Sequence, residues 1–172
     1  MAYEGPWDEL TAQIATCLTS EALVGNVYLK QRYLKRWDQM LDEYKWRDDA
    51  RGFDTFRGWE IIPAQPVATS EIMTLGSSVE LADRYRFEIR GLQAVSEANN
   101  YHNEFMALSQ RIKTNLDVKQ DFTVATLDDV EGLIAESAVF QSFVIRTFGG
   151  VACWTTTITR TVTLHRKISM SV

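Results

Sequence analysis

The groups in this chain able to hold a metal, activate a nucleophile or move a proton are two histidines, two cysteines and 23 acidic side chains. His102 and His165 lie far apart in sequence, and neither is framed by a cysteine or by an acidic ligand pattern. Both read as surface or interface histidines. Cys17 and Cys153 are too few and too distant for a disulfide framework or a zinc site. No phosphate-binding glycine loop, dinucleotide fingerprint, zinc-protease helix or nucleophile-elbow pattern occurs, and Gly76-Ser77-Ser78 lacks the residues that would flank such an elbow. The acidic run Asp128-Asp129-Val130-Glu131-Gly132 lacks the alternation that points ligands at one calcium ion. Carboxylate pairs can be drawn in number, but none has an environment readable from sequence that would separate two pKa values. The expectation is a protein with no catalytic residue, no cofactor and no metal, hence not an enzyme.

Charge points in a different direction. With 18 Lys and Arg against 23 Asp and Glu, the chain carries −5 and a pI near 5.1. That balance excludes the broad basic surface of a duplex-DNA reader. The segment from Asp117 to Glu136 holds Asp117, Asp121, Asp128, Asp129, Glu131 and Glu136 against Lys119 alone. It reads either as a solvated loop or as a docking surface for a basic partner. Arginine supplies most of the cations and there are five tryptophans, both residue types that are enriched in protein interfaces. Trp7, Trp37 and Trp154 fall at core spacing, whereas Arg57 and Trp59, in Arg57-Gly58-Trp59-Glu60, are open to an interface role.

These residues need a scaffold, and 172 residues with 45% apolar and 24% charged side chains fit a single domain, 1–172, with a core of its own. Glu4, Asp8 and Glu9 stand where a secretory signal would be basic, and the longest uncharged stretch, Thr147 to Thr159, is far short of the roughly 20 apolar residues of a membrane helix. No membrane association is expected, and assembly in a cytoplasm is. Gly5-Pro6 starts a helix whose stripe is Trp7, Leu10, Ile14, Cys17 and Leu18. Cys17 lies on that stripe as a small hydrophobe. A short strand, Asn26 to Leu29, precedes a second helix with Leu34, Trp37, Leu41 and Tyr44 on one face and Lys45 and Arg47 at its negative end.

Phe56 to Ile62 and Arg84 to Leu92 read as strands. In the latter Tyr85, Phe87 and Ile89 alternate with Arg84, Arg86, Glu88 and Arg90. Pro63 to Ser78 reads as a long connection or a poorly paired arm. A third helix, from about Ala98 to Leu116, buries Tyr101, Phe105, Leu108, Ile112 and Leu116. Gly149-Gly150 signals a two-residue hairpin between Val139–Phe148 and Val151–Arg166, because glycine accepts the positive φ of the primed turns. This register sets Ile145 against Trp154, Gln141 against Ile158, Val144 against Thr155, Ser142 against Thr157 and Phe140 against Thr159. Thr155, Thr157, Thr159, Thr161 and Thr163 then share one partly solvated face, and Trp154, Ile158 and Val162 the core face. A hairpin of this length is expected to project beyond its own domain. The expected fold is α+β: a mainly antiparallel sheet with about three helices packed on it, ending in a long β-hairpin.

One family is similar over about Gly25 to Arg166. Gly25-Asn26-Val27-Tyr28 with Arg32-Tyr33 and Trp37, then Arg57-Gly58-Trp59-Glu60-Ile61, then Arg84-Tyr85-Arg86-Phe87-Glu88-Ile89-Arg90-Gly91, and finally Phe148-Gly149-Gly150-Val151-Ala152-Cys153 resemble the tail terminator (tail completion or neck) proteins of long-tailed bacteriophages. The resemblance implies a non-enzymatic virion subunit, assembled in the host cytoplasm and resident in the tail or neck. Six copies would form a ring on the head-proximal end of the tail tube, stopping its polymerisation and offering a surface to a head-completion or adaptor protein. DNA would pass through the lumen without sequence recognition. The acidic segment 117–136 matches no motif of that family. Candidate interface residues are Arg57, Trp59, Arg84, Arg86, Glu88, Arg90, Thr155, Thr157 and Thr159. Two other classes stay open at this point: another virion ring component, such as a head–tail adaptor or tail tube subunit, and a small-ligand-binding α+β domain, which requires a pocket with convergent polar groups.

Overall fold

A computed structural model describes residues 5–30, 42–49, 52–75, 78–95, 101–148 and 150–169. Helix α1, Pro6–Thr19, begins at Gly5, whose carbonyl accepts the Asp8 and Glu9 N–H groups at 2.9 and 3.3 Å. Proline at the first position and two acids in the first turn suit the positive end of the helix dipole. Helix α2 is Tyr101–Val118. A helical segment at 42–44 leads into strand β2.

The described residues form seven strands, in chain order β1 Asn26–Tyr28, β2 Lys45–Asp48, β3 Phe53–Leu75, β4 Ser78–Ala94, β5 Val130–Ala135, β6 Val139–Phe148 and β7 Val151–Ser169. The sheet runs β1-β3-β4-β7-β5, with β2 on β3 and β6 on β7. Among the described residues only β1 is parallel to its neighbour, at residues 58–60 of β3, and the other pairings are antiparallel. The fold is α+β, as its sequence pattern implies.

The two helices cover one face of this sheet. Leu10, Ile14 and Leu18 of α1 and Phe105, Leu108, Ile112 and Leu116 of α2 pack on Trp59, Ile61, Phe87, Ile89, Ile158, Val162 and Leu164. Tyr101, the first residue of the α2 stripe, is buried as well. Each fully buried aliphatic side chain is worth roughly 1.5–3 kcal/mol, which makes this face the main source of stability. Gly91 lies directly under Trp59: a Cβ there would approach the indole within 2.7 Å and the Thr156 methyl within 2.8 Å. Glycine is required at that crossing because a side chain would displace the largest buried ring.

Four expectations change. Lys45 and Arg47 belong to strand β2 and not to a helix terminus, and they pair with Phe56 and Asp54. Leu34, Trp37 and Leu41 of the expected second helix lie outside the described residues, as do 98–100 of the third. Pro63–Ser78 is no loose arm. Strand β3 continues to Leu75 and pairs with β4 from Ala68 onward, after an irregularity between Pro63 and Ala68. The long hairpin does not project alone either, because β4 pairs with β7 from Cys153 to Ser169.

The fourth change concerns register. Phe148 pairs with Val151, which sets Ile145 against Trp154, Val144 against Thr155 and Ser142 against Thr157, as a two-residue connection requires. A bulge at Gln141 then shifts the strand by one, so Phe140 faces Ile158 and Val139 faces Thr159. An extra residue of this kind bends the strand and re-aims its side chains.

Candidate assembly surface

Strands β4 and β7 build the face opposite the helices. Register sets Arg84 against Thr163, Arg86 against Thr161, Glu88 against Thr159 and Arg90 against Thr157, so arginine and threonine alternate across it. Arg84 and Arg86 are exposed, while Glu88 and Arg90 are half-buried and paired: Arg90 donates from Nη2 and Nε to Glu88 Oε2 at 2.6 and 3.1 Å. Between this face and the β5–β6 connection lies an open groove of about 390 Å³. Arg84, Arg86, Thr159 and Thr161 form one side of it, and Glu136, Ser137, Val139 and Gln141 the other.

The threonine row is less solvated than alternation alone predicts. Thr155 and Thr159 are buried and Thr157 is half-buried. Hydroxyls of Thr155 and Thr159 donate to the Val144 and Val139 carbonyls at 3.0 and 3.5 Å, and Thr156 donates to Ser142 at 3.2 Å. These bonds tie β6 to β7 through side chains in addition to the backbone ladder. At the turn end of the same face Tyr44, Phe56, Leu92 and Cys153 form a second small core, and burial pushes the Cys153 thiol up to about 11. Tyr44 also donates its phenol to the buried Glu60.

Arg57 and Trp59 are corrected by the structure. Arg57 is 2% and Trp59 0% exposed, both on the helix face, so neither is available to a partner. Arg57 donates to Gln93 Oε1 and, at 2.7 Å, to the Leu23 carbonyl, with its guanidinium 4.6 Å from the Trp46 ring centre. Its task is to hold the turn after α1 against the sheet edge. Trp59 packs on Phe105.

A second buried arginine had no counterpart in the sequence reading. Arg160 interrupts the apolar row of Ile158, Val162 and Leu164, and its guanidinium donates to the carbonyls of Glu136 and, at 2.9 Å, Lys119. Asp117 approaches it at 3.6 Å and accepts the Ala138 N–H at 2.6 Å and Lys113 Nζ at 2.6 Å. Burial works against the charged form of Asp117, yet these donors and the Arg160 charge outweigh it and hold the carboxyl below its ordinary value. A lone charge in a core-facing position is the one sequence signal that such a cluster exists.

The acidic segment is strapped down rather than free. Phe122 and Val124 are buried. Glu9 accepts the N–H groups of Ala125 and Thr126 at 2.5 and 2.9 Å, and Gln13 exchanges hydrogen bonds with Thr123. Arg166 holds Asp129 bidentately at 2.8 and 2.9 Å, which keeps that carboxyl below its usual range. Residues 130–135 of this segment form β5, a strand its charge pattern conceals.

His102 lies half-buried against Trp154, with ring centres 4.3 Å apart, and His165 is exposed on β7. Trp7 and Trp154 pack against the core, whereas Trp37 lies outside the described residues. Among the described residues no group of three or more His, Cys, Asp or Glu is placed to hold a metal ion, and no helix is long and apolar enough to cross a membrane.

Strand β6 was read from the sequence, but its place at the edge of the sheet was not. It lies at the edge of the sheet, bonded only to β7 among the described residues. Val139, Phe140, Val144 and Ile145 are 50%, 36%, 40% and 52% exposed. Its signal was present in the sequence: ten residues carry one charge, Arg146. No protein-family profile matches the chain, and no curated protein is significantly similar to it.

Proposed function

We propose that this chain is a structural virion subunit that forms a ring on the head-proximal end of a bacteriophage tail tube, stops tube polymerisation and offers a surface for head joining. The observation that carries this reading is β6: a ten-residue edge strand with four exposed large apolar side chains and a single charge. Monomeric proteins blunt such edges with charges, prolines or bulges, because an unpaired row of N–H and C=O groups recruits other strands. Here the one bulge, at Gln141, leaves the stretch from Ser142 to Phe148 regular. An assembly subunit keeps an edge of this kind because it is covered in the particle.

The arginine-rich face supports the same reading. Exposed Arg84 and Arg86 beside the Glu88–Arg90 pair form a polar surface suited to a like subunit or to the tube. A heterologous contact closes into a ring only when its rotation divides a full turn, and a closed ring caps a polymer without extending it. Negative-stain imaging of the purified protein, alone and mixed with tail tubes, tests this. Rings seated at one end of each tube are expected; tubes with bare ends, or protein bound along their sides, contradict the reading.

A further inference from the structure

Among the described residues β6 is an open edge, next to β5 on the same side of β7. On the far side of the sheet β3 is covered by β2 at 53–56 and by β1 at 58–60. From Ile61 to Leu75 no described strand pairs with its outer side. We infer that β6 of one copy pairs with this free outer edge of β3 in the next, so that the sheet continues from subunit to subunit. The inference rests on the ring reading above and names the surfaces that make the ring.

Three observations carry it. The first is strand direction. Strand β3 is antiparallel to β4, β4 to β7 and β7 to β6, so β6 runs antiparallel to β3. Rotation about a ring axis preserves the direction of strands along that axis, and the junction β6–β3 is then antiparallel like the pairings within the subunit. The second is charge. β6 carries only Arg146, and 61–75 carries only Glu71, so the two edges bear opposite signs.

The third is stagger. Through the ladder, Val139 stands level with Thr159, Glu88 and Ile62, so β6 is level with the part of β3 that β1 and β2 already cover. Strands in closed sheets tilt by about 35–45° to the axis. Four strands, β3, β4, β7 and β6, span about 19 Å at roughly 4.8 Å each, so a 45° tilt offsets the junction by about six residues of 3.3 Å. Six residues toward Leu75 carry β6 off the covered stretch and onto the free one. Ile72, 69% exposed, lies on that free stretch.

Two variants separate the partners. V144K/I145K places lysines on the β6 edge, and E71K/I72K places them on the β3 edge, by the device natural proteins use to keep edges apart. Sedimentation should show wild type associating and each variant alone sedimenting as one chain. An equimolar mixture should give a two-chain complex that grows no further, because only one intact edge of each kind remains. Self-association of E71K/I72K alone would mean that β6 pairs with itself, and a mixture that stays at one chain would mean that these edges do not meet; either overturns the inference, as does a wild type that is monomeric at its solubility limit. Thermal melts check folding, and V144K with I72K repeats the test if a double variant fails to fold. The result is independent of the tail-capping reading, because a two-chain mixed complex from a gene whose loss leaves phage tails normal would keep the edges and remove the function.

Discussion

The two faces of the sheet are cut from the same strands and built on opposite rules. On β7, Ile158, Val162 and Leu164 point under the helices with almost no exposure, while Thr159 and Thr161 between them line a groove bordered by arginines. The helix face holds charge where most of the guanidinium is directed at an acceptor: Arg57 onto Gln93 and a carbonyl, Arg160 onto two carbonyls and towards Asp117. The outer face leaves Arg84 and Arg86 in solvent. One face therefore carries the folding free energy, and the other is free to carry contacts. Substitutions should separate the two cleanly.

The largest effect is expected from Ile158→Asp, which places a carboxylate where no donor can reach it. A cost of about 4 kcal/mol or more should leave the protein insoluble or unfolded. A folded variant with wild-type thermal stability would show that the face assignment is wrong. Next comes Arg160→Met. It keeps the volume but strips donors from the Glu136 and Lys119 carbonyls and the cation from Asp117, and about 3 kcal/mol of stability should be lost in urea titrations. A neutral Arg160→Met would mean that the cluster is a passive occupant of the core.

Acid should act through the two carboxylates paired with Arg160 and Arg166. Asp117 and Asp129 both titrate below their ordinary range in the folded protein. A depressed carboxyl contributes stability that is present above its unfolded pKa, near 4, and lost as pH falls through the folded value. The urea midpoint should therefore hold from pH 7 to about 5 and decline below pH 4. Asp129→Asn should flatten part of that decline, and a midpoint that rises on acidification would contradict it. The smallest effect on folding should come from Arg86→Glu. Stability should change by no more than about 0.5 kcal/mol at an exposed site, while binding to tail tubes is lost.

How much of this was legible depended on how local each cause is. The stripes of α1 and α2 and the alternation of Tyr85, Phe87 and Ile89 are written in neighbouring residues, and they stand as read. The Gly149-Gly150 turn carried register correctly as far as Ser142, where the bulge at Gln141, which has no residue signature of its own, ended its authority. Arg57 and Trp59 were misplaced because what buries them comes from afar: Gln93 and Leu23 are 36 and 34 positions from Arg57. Strand β5 was hidden by Glu131 within it and Asp129 just before it, whose partners Lys167 and Arg166 lie on a later strand. The edge position of β6 follows only from knowing which strands flank β7.

Tail length is the quantity that the proposed function governs most directly. Stopping a polymer leaves a defined length, and removing the stop leaves a distribution. In a lysate of phage deleted for this gene, electron microscopy should show abnormally long tails without heads, and supplying the wild-type chain in trans should restore uniform tails joined to heads. Arg86→Glu supplied in the same way should not. Tails of normal length joined normally to heads in the deletion would contradict the account.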